Sequence, residues 1–317
     1  MGSTFRRAGA ALGGLLMALT ALPAGAVDWA SIPAKQVPLL YPGQASWEWA
    51  LSKDEHSAAP KFREGKNCKS CHTKEEEQIG KALASGQRLE KKPLPGKRGS
   101  VPLEVKFAND GQKLYVRLEW PEVTGAGGPK LDKDYAARVT MMMDDGKVVE
   151  FTRAGCWSIC HDDVNGMASS VEGKDTHKYL ARSRAKLSRQ GGGDSQKPQE
   201  ALDAMFAEGQ FIEYWQARLK PGAPAVAADG VALNKRQDNA KPAVTVEAKQ
   251  VGGKWVVEMS RPLKVADPAH KELAAGKTYT VGFAVHEDFA AGRYHQVSLE
   301  YTLVLDAGEA DFVAVKK

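Results

Sequence analysis

All four cysteines of this 317-residue chain belong to pairs that end in histidine. The two segments are Cys68-Lys69-Ser70-Cys71-His72 and Cys156-Trp157-Ser158-Ile159-Cys160-His161. A C-x-x-C-H segment supplies two thiols for covalent attachment of a c-type haem and an imidazole for its iron. The second segment has one extra residue, which still brings both sulfurs to one face of a helical turn. The sequence therefore predicts two covalently bound haem c groups, with His72 and His161 as proximal iron ligands.

Paired cysteines also form disulfides and zinc sites. Neither alternative explains the histidine that follows both pairs, and zinc sites of this kind belong mostly to reducing compartments. The haem interpretation is therefore preferred at both pairs.

The N-terminus has the pattern of an export signal. Arg6 and Arg7 precede an apolar run over residues 8–22, and Ala24-Gly25-Ala26 is a small-x-small cleavage pattern. The run is too short to span a bilayer, and Pro23 with the small residues behind it favours cleavage over an uncleaved anchor. Haem attachment of this type follows export, so we predict a signal peptide over residues 1–26 and a periplasmic location.

The charge balance does not indicate a nucleic acid or a membrane surface as a partner. The leader carries two of the 44 lysines and arginines and none of the 39 acidic residues, so the remaining chain has a formal net charge of only +3. Such a small charge gives no support for binding to nucleic acid or to a membrane surface. After residue 26 no apolar stretch approaches the length of a spanning helix, so no stable membrane span is expected after cleavage.

The first part of the chain is predicted to be a small, mostly helical haem segment. Helices are expected at residues 47–51 and 74–85, the second ending at Gly86. A stretch rich in Pro, Gly and basic residues at 91–99 is typical of a connector. We therefore predict a haem segment over residues 27–98 and a second domain over residues 99–317.

The second domain is predicted to be a β-sandwich with helical insertions, which makes the fold mainly β. Alternating apolar residues with turn signals between them predict three hairpins, over residues 103–120, 139–151 and 244–259. Further strands are predicted at 211–219, 278–285 and 295–305. Met141, Met142 and Met143 follow the strand period, so we interpret them as core residues in preference to iron ligands.

Residues 47–305 resemble the cytochrome c-552/dimethyl sulfoxide reductase-like haem-binding family, the fold of the ethylbenzene dehydrogenase γ subunit. The segments that carry this resemblance are Leu114-Tyr115-Val116-Arg117-Leu118-Glu119-Trp120, the region 155–163, Ile212-Glu213-Tyr214-Trp215-Gln216-Ala217, and Gly292-Arg293-Tyr294-His295-Gln296-Val297-Ser298-Leu299. The resemblance implies a β-sandwich that holds one haem and exchanges electrons with a partner, often a molybdenum enzyme.

This chain differs from that γ subunit in two respects. The γ subunit binds its haem without covalent bonds, through Met and Lys ligands, whereas Cys156 and Cys160 imply a covalent haem, and His295 falls near the family's Lys. The γ subunit also lacks the first haem segment, so its partner cannot be transferred to this chain.

Each iron needs a distal ligand or an open site. His56 is close enough in sequence to Cys68 to fold over the first haem, and we predict it as the distal ligand there. At the second haem the family position favours His295 as distal ligand, with His286 and Met167 as competitors.

Two further histidines are interpreted as surface residues. His270 lies in a polar turn and is expected to be exposed, and His177 lies in a predicted short basic helix. The basic residues of that helix are Lys174, Lys178, Arg182 and Lys186. A solvated helix face is the default interpretation, and a docking patch for an acidic partner is the functional alternative.

The iron ligands separate the function classes. Two irons with both axial positions filled cannot bind substrate, so they imply outer-sphere electron transfer without catalysis. An open distal site would instead indicate a haem enzyme or a small-ligand sensor, and a structural haem subunit is a third class. The sequence contains no nucleophile triad, phosphate loop or paired-carboxylate motif.

We therefore predict an electron-transfer protein that is not itself an enzyme. It would relay single electrons between a quinol-oxidising membrane cytochrome and a terminal oxidoreductase, such as a molybdenum enzyme. Because electron tunnelling needs close approach, the haem segment is expected to pack against the sandwich near residues 156–167.

Overall fold

The computed structural model describes residues 27–43, 47–87, 93–125, 130–159, 180–185, 196–291 and 294–317. The strands in these residues are β1 Lys35–Leu40, β2 Ser100–Asn109, β3 Lys113–Pro121, β4 Ala137–Asp144, β5 Ile212–Leu219, β6 Val226–Ala232, β7 Arg236–Asp238, β8 Thr245–Val251, β9 Lys254–Pro262, β10 Thr278–His286, β11 Gln296–Val297, β12 Tyr301–Leu305 and β13 Phe312–Lys316. The helices are α1 Trp47–Leu51, α2 Ala59–Arg63, α3 Glu76–Ala84, α4 Val149–Ala154 and α5 Gln199–Ala207, with 3₁₀ turns at Trp29–Ser31, Gly155–Ser158 and Ala181–Ser183. The predicted mainly β class is confirmed.

The strands form one continuous sheet that folds into a barrel-like sandwich. Its order is β7-β6-β5-β4-β10-β11-β1-β2-β3-β9-β8, and β12 and β13 form a second bridge from β10 to β2. Strands β11 and β12 are both shorter than β10. Residues 278–281 of β10 therefore pair with β12, and residues 284–285 pair with β11. The two large halves of the sheet therefore face each other across a closed interior.

The interior of the sandwich is filled by every second residue of the strands. In β4, Val139, Met141 and Met143 belong to this core, and all three are fully buried. Phe283 of β10 and Trp215 of β5 occupy equivalent inward positions. The interpretation of the methionine run as core is confirmed, since burial of such side chains contributes about 1.5–3 kcal/mol each.

The outer face of β4, β5 and β10 is buried as well, under the helices. Met142, Tyr214 and Ala284 point away from the sandwich core and join a second apolar cluster that includes Trp47 and Phe62. Both faces of these strands therefore exclude water. This explains why β4 has three consecutive methionines at 141–143 where a half-exposed strand would alternate.

The segment before residue 99 contributes a strand to the sheet. β1 pairs antiparallel with β2 along its whole length, and Leu40 pairs with Val297 of β11. The domain boundary at residues 98 and 99 stays a prediction, but residues 35–40 share the sheet of the sandwich. Within the described residues, no helix is long and apolar enough to cross a bilayer.

The predicted hairpin over residues 139–151 is wrong at its second strand, because residues 149–154 form helix α4. Asp144 at the end of β4 accepts hydrogen bonds from the backbone N–H groups of Gly146, at 2.9 Å, and Val148, at 3.0 Å. These bonds turn the chain immediately before the helix. The β-branched Val148 and Val149 suggested a strand, but this local capping prevails.

The strand predicted over residues 295–305 is interrupted. Ser298 Oγ accepts the N–H of Phe283 at 2.9 Å and donates to the carbonyl of Leu299 at 2.7 Å. The hydroxyl thereby replaces a backbone group of the ladder and separates β11 from β12. The hairpins β2–β3 and β8–β9 are confirmed.

Helix α3 packs on the sheet through glycine. A Cβ on Gly80 would lie 1.9 Å from the carbonyl oxygen of Gly99. That oxygen also accepts the N–H of Tyr41 at 2.8 Å, so it cannot move aside without losing a hydrogen bond. The absence of a side chain at Gly80 sets how closely α3 approaches β1.

Gly80→Ala is expected to destabilise the protein. Helix propensity alone would favour alanine by about 1 kcal/mol, whereas the steric conflict with Gly99 costs about 1–3 kcal/mol beyond that gain. Urea unfolding followed by far-ultraviolet circular dichroism measures the sign. A variant more stable than the wild type would show that α3 is not held by this contact.

Candidate haem site

The first cysteine motif forms a single helical turn between α2 and α3. The N–H groups of Cys71, at 3.1 Å, and His72, at 2.9 Å, both donate to the carbonyl of Cys68. Asn67 caps this turn, since its Oδ1 accepts the N–H of Ser70 at 2.9 Å. The turn places Cys68, Cys71 and His72 around one cavity.

The cavity has a volume of about 620 Å³ and lies between the helices and the sheet. Its walls include Trp49, Phe62, Leu40, Ile79, Trp157 and Leu299, in addition to the motif residues and His56. A volume of this size, lined by apolar side chains with a few polar groups, is typical of a cofactor site. Cys71 is exposed at its edge, so the cavity is open to solvent on the side of the motif.

His56 and His72 face each other across this cavity. Their ring centroids are 6.3 Å apart and their planes are inclined by 29°. Two imidazole nitrogens that each lie about 2 Å from a shared metal separate their ring centroids by about 6 Å. The two rings are therefore spaced as the opposite axial ligands of one iron would be.

Hydrogen bonds fix which nitrogen each ring offers. His56 Nδ1 lies 2.9 Å from the carbonyl oxygen of Ala50, and His72 Nδ1 lies 2.9 Å from Glu75 Oε2. Because both partners only accept, both rings donate from Nδ1 and keep the lone pair on Nε2. This arrangement is typical of metal-binding histidines, and the residues around the cavity fit a haem with two axial imidazoles.

The first motif is joined directly to the helix before the second motif. The N–H of Cys68 donates to the carbonyl of Arg153 at 2.8 Å. The guanidinium of Arg153 donates to the carbonyl of Lys66 and lies 4.1 Å from the ring centroid of Phe62. The first motif therefore contacts the residues immediately before the second motif, in agreement with the predicted packing of the haem segment near residues 156–167 as far as that region is described.

A buried carboxylate lies against the first motif from the other side. Glu300 Oε1 accepts the N–H of Lys69 at 2.9 Å. Burial raises the pKa of Glu300 to about 7. Burial, and then the nearby Glu300, raise the pKa of the Cys68 thiol. Lys69 itself extends over the ring of Tyr301, with Nζ 3.8 Å from its centroid, and pairs with Asp311.

The second motif begins in a tight turn on the outer face of β10. Cys156 is fully buried, and a Cβ on Gly282 would lie 3.1 Å from its sulfur. Gly155 has a φ of +57°, and a Cβ there would lie 2.4 Å from the carbonyl group of Leu299. Both glycines are therefore required for the close approach of this turn to the sheet.

The structure describes the second motif up to Ile159. Cys160 and His161 lie outside the described residues, as do Met167 and His177. Their predicted roles stay predictions. The described cysteines Cys68, Cys71 and Cys156 are thiols and are not joined in disulfides.

His286 and His295 form a buried pair at the end of β10. Their ring centroids are 4.6 Å apart with planes inclined by 6°. His295 is fully buried, and neither of its ring nitrogens has a hydrogen-bond partner. A buried imidazole without such partners is costly unless another group binds it. His286 lies on the same face of β10 as Gly282, four residues and about 13 Å further along the strand.

The prediction that His270 is exposed is wrong. Its side chain is buried and contacts Glu213, with Nδ1 3.1 Å from Oε1. Glu213 also accepts from Trp215 Nε1 and pairs with the buried Arg261. The polar sequence around His270 looked like a surface turn, but it closes over a buried charged cluster of the sheet.

The predicted basic helix face is also wrong where it is described. Arg182 lies in a 3₁₀ turn, and its guanidinium pairs with Glu150 at 2.8 Å and donates to the carbonyl of Lys147. Arg182 is thus occupied within the protein and does not form a docking patch. Lys174, Lys178 and Lys186 lie outside the described residues.

A β-sandwich in which a C-x-x-C-H turn faces a second histidine across a cavity defines a haem-binding protein of the cytochrome c type. A model of the ethylbenzene dehydrogenase family matches residues 26–251 and 239–298. The chain belongs to this family, as its sequence segments indicated.

Two relatives match over nearly the whole chain. Cytochrome c-552 of Stutzerimonas stutzeri is 32% identical over 299 residues, which cover 94% of this chain and 93% of that protein. Cytochrome c-551 of Rhodocyclus tenuis is 28% identical over 295 residues, covering 92% of this chain and all of that protein. A family 9 carbohydrate-binding module from Caldicellulosiruptor kristjanssonii covers 63% of this chain with 12% identity and a TM-score of 0.26, too low to support any inference.

Three residues of the site were not found from the sequence. The sequence analysis did not select Glu75, although its spacing of three from His72 could have suggested a hydrogen-bonded pair. Arg153 and Trp157 contact the first motif only through the tertiary fold, so no local sequence signal marks them.

Glu300→Gln is expected to flatten the pH dependence of stability. The folded protein binds the Glu300 proton more tightly than the unfolded chain, because burial raises the pKa from 4.5 to about 7. This contribution is fully present below the unfolded pKa and is lost as the pH rises through the folded pKa. From about pH 5 to about pH 8, the wild type should lose on the order of 2 kcal/mol relative to the variant.

Urea unfolding of both proteins at the two pH values measures this difference. Asp311→Asn serves as the control, because hydrogen bonds from Lys35 and Thr302 and the charges of Lys69 and Lys35 lower the pKa of that carboxyl against the effect of its burial. Parallel pH profiles for wild type and Glu300→Gln would contradict the raised pKa.

Proposed function

We propose that this protein is a periplasmic dihaem c-type cytochrome that transfers single electrons between redox partner proteins. The observation that carries this proposal is the pair His56 and His72, spaced at 6.3 Å across a cavity edged by Cys68 and Cys71. Both relatives are named cytochromes c, which supports the same class.

Haem, when bound, supplies a one-electron couple at iron. In the proposed first site, Cys68 and Cys71 would form the thioether bonds, and His72 and His56 would bind the iron. The carbonyl of Ala50 and the carboxylate of Glu75 hold both rings in the orientation that presents Nε2. If both histidines bind the iron, substrate would not reach it, which favours electron transfer over catalysis.

The second haem is proposed at Cys156 and Cys160, with His161 as proximal and His295 as distal ligand. The burial of His295 without hydrogen-bond partners supports a bound group beside it. Gly282 leaves space on β10 for the sulfur of Cys156. The number of two haems rests on the second cysteine motif and on this partial site.

The partners are proposed from the chemistry of a relay. A quinol-oxidising membrane cytochrome would donate electrons, and a terminal oxidoreductase, such as a molybdenum enzyme, would accept them. Since the side chain of His72 is 37% exposed and Cys71 is exposed, the edge of the first haem is the accessible side for such partners. The leader over residues 1–26 is proposed to direct export.

Replacing His56 by Ala is expected to convert one haem from low spin to high spin, because the distal imidazole is lost. His295→Ala should do the same to the other haem and leave the first unchanged. Electronic and paramagnetic resonance spectra report both changes. His286→Ala is the matched control for His295, since it removes a stacked ring without removing the proposed ligand. A spin change in His286→Ala but not in His295→Ala would reverse that assignment.

The function itself is tested with the purified, exported protein. Its intact mass should exceed that of the chain after residue 26 by two haems, and Cys156→Ala with Cys160→Ala should reduce this to one. The reduced wild type should be oxidised rapidly by an acceptor protein and should not bind carbon monoxide. Carbon monoxide binding at a ferrous haem, with turnover of peroxide, would indicate a haem enzyme or small-ligand sensor instead.

A further inference from the structure

Glu300 places a buried carboxyl group directly on the first attachment turn. The residue is only 5% exposed. Its Oε1 accepts the backbone N–H of Lys69 at 2.9 Å, and Lys69 directly follows Cys68 in the sequence. Leu299, the residue before Glu300, borders the cavity of the candidate haem site. The carboxyl group therefore adjoins both the attachment turn and the cavity wall.

The two oxygens of Glu300 have different surroundings. Oε1 accepts the hydrogen bond from the turn, whereas Oε2 is buried and has no hydrogen-bond partner among the described residues. An ionised carboxylate in this position leaves one oxygen uncompensated, which is costly away from water. A proton on Oε2 removes that charge and keeps the bond to the turn. In agreement with this geometry, burial raises the pKa of Glu300 to about 7.

Two charges of opposite sign act on Glu300 at close range. Lys69, in the attachment turn, favours the ionised carboxylate, and Asp311, immediately before β13, opposes it. Lys69 and Asp311 pair with each other at 3.3 Å, so their effects on Glu300 partly cancel. Asp311 itself stays ionised, because hydrogen bonds and the two lysines beside it lower its pKa.

The other titratable or charged groups around this cluster come from the turn, α4, β12 and α3, and they are Cys68, Arg153, Tyr301 and Glu76. Burial raises the pKa of Tyr301, so its hydroxyl keeps its proton near neutral pH. Cys68 no longer titrates once its sulfur is part of a thioether. The arrangement leaves Glu300 as a buried group that can bind or release a proton next to the haem attachment.

We propose that Glu300 binds a proton when the first haem takes up an electron, so that electron transfer at this site is coupled to proton transfer. The inference rests on the proposed function, with haem attached at Cys68 and Cys71. The electron comes from the donor protein and reduces ferric iron to ferrous iron. The proton comes from water and forms an O–H bond on the carboxylate. The net charge of the site is the same before and after the step.

The sign of the coupling follows from the charges. An added electron makes the haem more negative, which favours the protonated form of Glu300. By reciprocity, the ionised form of Glu300 stabilises ferric iron and lowers the midpoint potential. The potential is therefore highest where Glu300 is protonated, and it falls as the pH rises through the pKa of that carboxyl group.

Potentiometric titration of the purified haem-loaded protein between about pH 5 and about pH 9 tests the coupling. If the reduced state binds the proton tenfold more tightly, the potential of the wild-type first haem falls by about 59 mV across this range. The first haem is the one whose spectrum changes in His56→Ala. Glu300→Gln is expected to keep the high potential at every pH, because an amide does not ionise, and to remain low spin.

Infrared difference spectra of reduced minus oxidised protein give a direct measure of the proton. At neutral pH the wild type is expected to gain the carbonyl stretch of a protonated carboxyl group on reduction, and Glu300→Gln is expected to lack this band.

Asp311→Asn is the matched control, since it also replaces a carboxylate by an amide beside Lys69. It should keep the band and the fall in potential, with the fall moved to lower pH. If Glu300→Gln takes up no haem, Lys69→Gln decides the question, because loss of the ammonium group should move the fall to higher pH.

A wild-type band and a wild-type fall in potential in Glu300→Gln would assign the proton to another group, such as a haem propionate, and would overturn the inference. A wild-type potential that does not change with pH, or an unmoved fall in Lys69→Gln, would also overturn it. Each of these results leaves the relay intact. A protein whose intact mass shows no haem bound at Cys68 and Cys71 would overturn the proposed function and this inference together.

Discussion

The hydrogen bond from Cys68 to the carbonyl of Arg153 is the contact on which the arrangement of the candidate site depends. A backbone hydrogen bond contributes only about 0.5–1.5 kcal/mol, but this one is surrounded by contacts that act with it. The guanidinium of Arg153 packs over Phe62 and binds the carbonyl of Lys66. These contacts join the turn at Cys68 to the helix before Cys156, although the two motifs are far apart in sequence.

The sandwich makes this possible by burying both faces of its central strands. The inner face of β4 and β10 forms the core of the sandwich, and their outer face belongs to an apolar cluster that includes residues of α1 and α4, while α3 packs on β1. The outer face of these strands therefore packs against residues of both motifs. Gly282 allows the turn at Cys156 to lie directly against β10. Gly80 allows α3 to approach the backbone of Gly99 in the same way.

Much of the fold could be predicted because local patterns decide it. The turn Asn109-Asp110-Gly111 and the alternation on either side specified β2 and β3, and the cysteine motif specified the first attachment turn. The prediction failed where a side chain competes with the backbone, as Asp144 does before α4 and Ser298 does after β11. It also failed at His270, because the burial of a polar turn depends on Glu213, which is distant in sequence.

The candidate site was predictable to a similar degree. His56 was suggested by its nearness to Cys68, and it lies opposite His72, but its hydrogen bond to Ala50 depends on the path of α1. Trp157 could not be recognised as part of the first site, since it reaches that cavity only through the tertiary fold.

The complete burial of Cys156 has a consequence for the order of assembly. Its sulfur lies so close to β10 that a Cβ on Gly282 would be only 3.1 Å from it. A reagent or an enzyme cannot reach this sulfur in the closed sandwich, whereas Cys71 remains accessible after folding. Any covalent modification of Cys156 would therefore have to be completed before the chain closes, whereas Cys71 could be modified after folding.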